Sequence, residues 1–254
     1  MSSSSSRVAI VTGATGGIGA ALVSEFSANG YSVIATDIYP QAVDMKCETY
    51  VEADLSRAVI DDNYAIELFS RLRALIKGRG LHALINNAAV QILGGVDALQ
   101  RNDWHQTLNV NLLAPFFLTQ AMLSDLEFAR GCVINISSIH ARLTKKNFVA
   151  YATSKAALSG MTRAMAVDLQ DRVRVNAIEP AAIETEMLKA GFKGRDDQYL
   201  QLTKCHPSQR IGNPSEVARL AIAVAGGDLR FLHGTNIGLD GGISCCLMDP
   251  STGD

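Results

Sequence analysis

The sequence predicts an α/β protein built on a doubly wound parallel sheet of about seven strands with helices on both faces, and three observations carry that expectation. Short apolar runs alternate with longer stretches whose apolar residues recur at helical spacing, as repeated strand-helix-strand units require when a sheet is buried on both faces. A glycine-rich segment, Thr12-Gly13-Ala14-Thr15-Gly16-Gly17-Ile18-Gly19, follows the first apolar run and opens the first helical pattern. The chain has 254 residues with no proline-rich, glycine/serine-rich or charged linker to divide it, so one domain accounts for residues 7–254.

Taken in order, strands are predicted at 7–12, 32–36, 49–52, 83–86, 132–136, 173–178 and 236–239, most of them rich in Val and Ile. Helices are predicted at 17–29, 62–77, 103–126, 148–169 and 214–225, with Gly30 and Gly78 as stop signals after the first two. The span between Asp37 and Asp54 is too short for a full helix, so a turn or one helical turn is expected there. Residues 1–6, dominated by Ser2 to Ser6, read as a disordered tail.

Composition excludes several classes. A formal net charge of −2 with no basic stripe gives a nucleic-acid partner no electrostatic support. No apolar run approaches the ~20 residues needed to span a bilayer, and the N-terminus lacks a signal pattern, so a cytoplasmic location is the default expectation. The five cysteines, Cys47, Cys132, Cys205, Cys245 and Cys246, form no CxxC pair and read as free thiols, and no metal site is expected.

Sheets of this kind bind ligands beyond the carboxyl ends of their strands. The glycine segment lies at such an end, where its backbone can cradle a pyrophosphate against a helix N-terminus. Asp37, at the end of the second strand, is placed to accept hydrogen bonds from an adenosine ribose. Its charge repels a 2′-phosphate, and no Arg or Lys stands at Ala14, Thr15, Gly16 or Ile38 to attract one, so NAD is expected in preference to NADP.

Four polar residues further along, Asn111, Ser138, Tyr151 and Lys155, supply acid-base chemistry. Tyr151 and Lys155 are i and i+4 on a predicted helix and share one face. A hydroxyl, a phenol and an ammonium group in one cleft can move a proton as a cofactor moves a hydride. A phenol titrates near ~10, so a phenolate base near neutrality needs roughly 3 to 4 kcal/mol of stabilisation. Lys155 and a positively charged nicotinamide provide that field.

Thr12 to Gly19, Asn86-Asn87-Ala88-Ala89, Asn111, Ser138, Tyr151-x-x-x-Lys155 and Pro180 to Thr185 occur in this order, with Ser138 13 residues before Tyr151. In these motifs and their intervals the chain resembles the short-chain dehydrogenase/reductase family over nearly its whole length. The resemblance implies a Rossmann-type domain, oxidation of an alcohol or reduction of a ketone with NAD(P), and a homotetramer, with a dimer as the alternative. It implies roles residue by residue. Tyr151 is the general acid and base, Lys155 also holds the nicotinamide ribose, Ser138 donates to the substrate oxygen and Asn111 supports a water chain to solvent. Gly13, Thr15, Gly17, Ile18 and Gly19 hold the phosphates; Asp54 and Leu55 flank the adenine; Asn87, Ala88 and Ala89 flank its ribose. Ile183 and Thr185 contact the nicotinamide carboxamide, and Pro180 is a further cofactor contact.

Two departures from the family pattern stand out: Ala181 and Ala89 occupy positions where glycine is usual. The family acts on steroids, sugars, acyl thioesters, polyols and small alcohols, so the resemblance carries the reaction and not the ligand. The candidate substrate contacts are Gln91, His140, Arg142, Phe148, Met187 and Leu188, with Val90, Glu179, Ala181 and Phe192 as further wall residues. His140 and Arg142 offer handles for a carboxylate or hydroxyls. Residues 186–210 combine apolar Met187, Leu188 and Phe192 with Gly191, Gly194 and a charged Arg195-Asp196-Asp197 stretch, a pattern suited to a substrate lid. Two rival functions share parts of this pattern: an NAD-dependent sugar-nucleotide epimerase or dehydratase, and a non-catalytic dinucleotide sensor. The first lacks a separate sugar-nucleotide domain here, and the second has no use for Ser138, Tyr151 and Lys155 together.

Overall fold

The computed structural model describes residues 6–247, apart from the side chain of Met187. The serine tail expected at 1–6 therefore falls, but for Ser6, outside the described residues. Seven strands, β1 (Arg7–Thr12), β2 (Tyr31–Asp37), β3 (Thr49–Glu52), β4 (Ala83–Asn86), β5 (Cys132–Ile136), β6 (Arg174–Pro180) and β7 (Asn236–Leu239), form one sheet in the order β3-β2-β1-β4-β5-β6-β7. Every pairing is parallel.

Side chains alternate across each strand, and the alternation divides the core into two layers. Val8, Ile10, Leu84, Val133 and Val175 point to one face, where helices α3 (Asp62–Ile76), α5 (Ala114–Ala121), α6 (Leu123–Ala129) and α7 (Val149–Leu169) cover them with Leu72, Leu118, Leu126 and Leu169. Their neighbours Ala9, Val11, Ala83, Ile85 and Ile134 point to the other, against Leu22 and Phe26 of α1 (Gly17–Ala28) and Val217 and Ala221 of α10 (Pro214–Ala225). Such side chains contribute roughly 1.5 to 3 kcal/mol each when fully buried, so the sheet is a rigid platform for the loops at its carboxyl end.

The remaining helices are α2 (Leu55–Ile60), α4 (Arg101–Leu108), α8 (Glu186–Gly191) and α9 (Asp196–Lys204). Side chains cap several helices: Asp54 accepts from Arg57 N on α2, Asp61 from Tyr64 N on α3, Thr185 from Leu188 N on α8, and Asn213 and Glu216 form a capping box on α10. Helix α1 has no such cap; its N-cap is Gly16.

The structure differs from the sequence expectation in one long helix. Residues 103–126 do not form a continuous α-helix: α4 gives way to a π-helical turn, Asn109–Leu113, before α5 and α6. Pro115 has no N–H to give the Asn111 carbonyl its α-helical bond, and the Asn111 side chain is drawn to the chain around Val90. Residues 38–48 form no helix, as the short span required. Among the described residues, no helix is long and apolar enough to cross a membrane, and no group of three His, Cys, Asp or Glu side chains is placed to hold a metal.

Candidate active site

The sheet order reverses direction between β1 and β4, and the loops leaving these two strands diverge there to open a crevice. Thr12, at the end of β1, stitches its floor: its hydroxyl accepts from Asn87 N and Ala88 N, each at 3.0 Å. Asn87 Nδ2 donates back to the carbonyls of Thr12 at 2.9 Å and Gly13 at 3.0 Å. Sequence reading singled out Asn87 but gave Thr12 no such role; a hydroxyl directly before the first glycine was the available signal.

The glycines are required by contact as well as by conformation. Gly13 has φ +64°, and a Cβ there would lie 2.7 Å from Ala88 Cα. A Cβ on Gly17 would lie 2.9 Å from Thr185 Cγ2, and one on Gly19 only 1.9 Å from Gly13 O. With α1 uncapped by any side chain, its first N–H groups and dipole are left to an anion. This arrangement fits a pyrophosphate, and the cleft of about 1920 Å³ has room for a dinucleotide and a second molecule.

At one end of the cleft stand Asp37, Asp54 and Leu55, beside Ala53 and Ile38. Asp37 Oδ2 accepts from Thr15 N at 2.9 Å and from the Thr15 hydroxyl at 2.8 Å, while Oδ1 accepts from Ile38 N at 2.7 Å. Asp54 caps α2 through Oδ1, and its own N–H donates to the Tyr64 hydroxyl at 2.8 Å. Gly13, Thr15, Gly17, Ile18, Gly19, Asn87, Ala88 and Ala89 continue along the wall to Pro180, Ile183 and Thr185.

The acid-base group lies deeper, where β5 ends and α7 begins. Ser138, Tyr151 and Lys155 all line the cleft. Burial pushes the Tyr151 pKa above the usual tyrosine value, and the neighbouring Ser138 hydroxyl draws it partly back down. Lys155 is 2% exposed, and burial pushes its pKa down to about 8. Its Nζ donates to Ile136 O at 2.8 Å and lies 5.8 Å from the centre of the Tyr151 ring.

Asn111 is fully buried in the π-helical turn, with its amide wholly engaged. Oδ1 accepts from Val90 N at 2.8 Å, and Nδ2 donates to Val90 O at 2.9 Å and Ser154 Oγ at 3.0 Å. Its side chain thus ties the loop after β4 to α7.

Of the expected substrate contacts, Gln91, His140, Phe148 and Leu188 line the cleft. His140 stacks on Phe148 at 4.3 Å and meets Tyr151 edge-on at 5.9 Å. Burial, helped by the charge of Lys145, pushes its pKa down to about 4, so the ring is neutral near pH 7. Its Nδ1 is buried without a partner. The structure does not bring Arg142 to the cleft wall: its Nε donates to Glu179 Oε2 at 2.8 Å, and Glu179 is buried behind the site. A buried carboxylate needs a charged partner, and that need holds the Arg142 guanidinium on Glu179 rather than on a substrate in the cleft. Met187 belongs to α8, but its side chain lies outside the described part of the structure. Leu202 and His206, which sequence reading did not single out, also line this end.

Comparison with known proteins points the same way. A family model described as enoyl-(acyl carrier protein) reductase matches residues 13–244. The meso-2,3-butanediol dehydrogenase of Serratia marcescens is 30% identical over 247 residues, covering 96% of this chain and 97% of that protein. The solved structure of Thermoplasma acidophilum aldohexose dehydrogenase superposes with a TM-score of 0.88 at 27% identity, covering 98% of each chain. That of 4-hydroxyisoleucine dehydrogenase in complex with NADH superposes with a TM-score of 0.84 at 26% identity, covering 95% of this chain and 100% of that one.

Proposed function

The chain belongs to the short-chain dehydrogenase/reductase family of nicotinamide-dependent oxidoreductases, and on that premise we propose that it is an NAD-dependent enzyme acting on a secondary alcohol or ketone with Tyr151 as general acid and base. The observation that carries this reading is the convergence of Ser138, Tyr151 and Lys155 on one wall of the cleft. When bound, NAD supplies the hydride acceptor or donor.

The protein's own residues handle the proton. In the oxidation direction the Tyr151 phenolate oxygen takes the carbinol proton as the C–H bond gives up its hydride; in reduction the phenol returns that proton to the carbonyl oxygen. Ser138 holds the substrate oxygen against the phenol. Lys155, 5.8 Å from the ring, favours the phenolate through its charge. Burial raises the phenol's pKa, so without a nearby cation Tyr151 rests as the acid.

Asp37 supports NAD rather than NADP, because its carboxylate lines the cleft, where its charge would repel a 2′-phosphate, and no Arg or Lys stands at Ala14, Thr15, Gly16 or Ile38 to attract one. In this reading Asp54 and Leu55 flank the adenine, Ile183 and Thr185 hold the carboxamide, and α8 and α9 form the substrate lid. The homotetramer expected of the family is part of the same proposal. A screen of secondary alcohols, polyols and sugar acids, following NADH and NADPH formation side by side, tests it. Reduction of NAD by one of these classes supports the reading, and reduction of NADP alone would overturn the cofactor assignment.

A further inference from the structure

Glu179 lies on β6 directly before Pro180 and is fully buried. Both of its oxygens are engaged: Arg142 Nε donates to Oε2 at 2.8 Å, and the Ser159 hydroxyl donates to Oε1 at 2.8 Å. These two partners belong to the two elements that carry the reacting hydroxyls. Arg142 closes the 3₁₀ turn Ile139–Ala141 that begins at Ser138, with its N–H on Ile139 O at 3.0 Å. Ser159 is on α7, one helical turn beyond Lys155 and two beyond Tyr151, on the same face.

The contact chain continues into the site. Ser159 Oγ is 2.9 Å from Ser137 Oγ, and Ser137 Oγ donates to the Lys155 carbonyl at 3.1 Å. Ser137 N also donates to Ile178 O at 2.8 Å, one residue before Glu179. A carboxylate taken wholly out of water is costly, and an apolar side chain in its place serves stability as well or better. What an acid adds here is geometry: two fixed acceptors for donors on two separate elements.

Resting on the acid-base role of Tyr151, we propose that Glu179 is a positioning residue for the proton transfer, its carboxylate clamping the Ser138 turn to helix α7 and so setting the contact between the Ser138 hydroxyl and the Tyr151 phenol. Glu179 does not line the cleft. Arg142 faces it, and Asp240 lies beyond the guanidinium; Tyr151 itself faces Lys155 and His140.

The test is the ionisation of Tyr151, read as tyrosinate absorbance against pH in NAD-saturated protein, with the Tyr151→Phe variant subtracted to isolate that phenol. Ser138→Ala removes the hydroxyl that draws the phenol's pKa down, so it raises the midpoint. Glu179→Gln is expected to raise it as well, and the double variant to go no higher than Ser138→Ala alone, because both changes act through one contact. Arg142→Gln alters the half-exposed end of the clamp without touching the core and is expected to shift the midpoint in the same direction, which keeps the test decisive if Glu179→Gln does not fold. An unmoved midpoint in the folded clamp variants, or full additivity with Ser138→Ala, would overturn the proposal. Failure of NAD to bind would instead contradict the proposed function, and the same titration without NAD would still decide the role of Glu179.

Discussion

Thr15 donates twice to one oxygen of Asp37, from its backbone N–H at 2.9 Å and from its hydroxyl at 2.8 Å, across 22 residues of sequence. The acid at the end of β2 therefore braces the glycine loop at the end of β1 while presenting its charge to the cleft. Two consequences follow for Asp37→Ala. The preference for NAD over NADP in kcat/KM should narrow by about tenfold or more, corresponding to ~1.4 kcal/mol, and KM for NAD should rise because the loop loses its brace. Parallel kinetics with both cofactors check this, and an unchanged ratio would show that Asp37 does not read the ribose.

Lys155 gives a pH signature in the cofactor-free protein. Burial lowers its pKa from the ordinary 10.5 to about 8, so between these values the unfolded chain binds more protons than the folded one, and stability attributable to this group rises with pH. Below pH 8 both states are charged and the full burial cost stands. Lys155→Met should therefore gain most, relative to the parent, near pH 7 and lose on the order of 2 to 3 kcal/mol of that difference by pH 10. Cys132, pushed up to about 11 by burial, titrates alike in both proteins and cancels. Denaturant unfolding across this range measures the difference, and a constant value would mean that Lys155 is hydrated.

Much of this architecture was legible in the sequence, and the reasons are local. Strands such as Cys132–Ile136 and Ala83–Asn86 are buried on both faces, so each reads as a continuous apolar run with the bounds the structure shows. The helix through Asn111 was misread because apolar spacing does not register the extra residue of a π-helical turn, although Pro115 marked the missing N–H. Arg142 was read as a cleft residue because its partner Glu179 lies 37 residues away, on a strand that only the folded sheet brings beside it. Asp54-Leu55-Ser56-Arg57 carried an N-cap signal for α2 that was read only as an adenine contact.

The lid proposal rests on α8, α9 and the turn between them, which place Leu188, Phe192 and Leu202 on the cleft while Asp196 and Asp197 stay exposed. Hydrogen exchange over residues 186–210 should be faster than over α7 in the cofactor-free protein and slow on adding NAD with a substrate analogue. Slow exchange in every state would make this pair a fixed part of the domain.

Assembly is tested by sedimentation. Leu158 is buried within the domain and Met161 packs on its core, whereas Phe116 of α5 and Val167 of α7 are exposed, leaving the outer face of these helices with apolar side chains for a partner copy. A tetramer, or at least a dimer, is expected at micromolar concentration, and a monomer would contradict it.

The central claim is that Tyr151 moves the proton that accompanies hydride transfer, and turnover by Tyr151→Phe tests it most directly. With a secondary alcohol or polyol that the parent oxidises, the variant should bind NAD with unchanged affinity, measured by titration calorimetry, while kcat falls by at least ~10². A fully active Tyr151→Phe protein would contradict the account and assign the proton to another group.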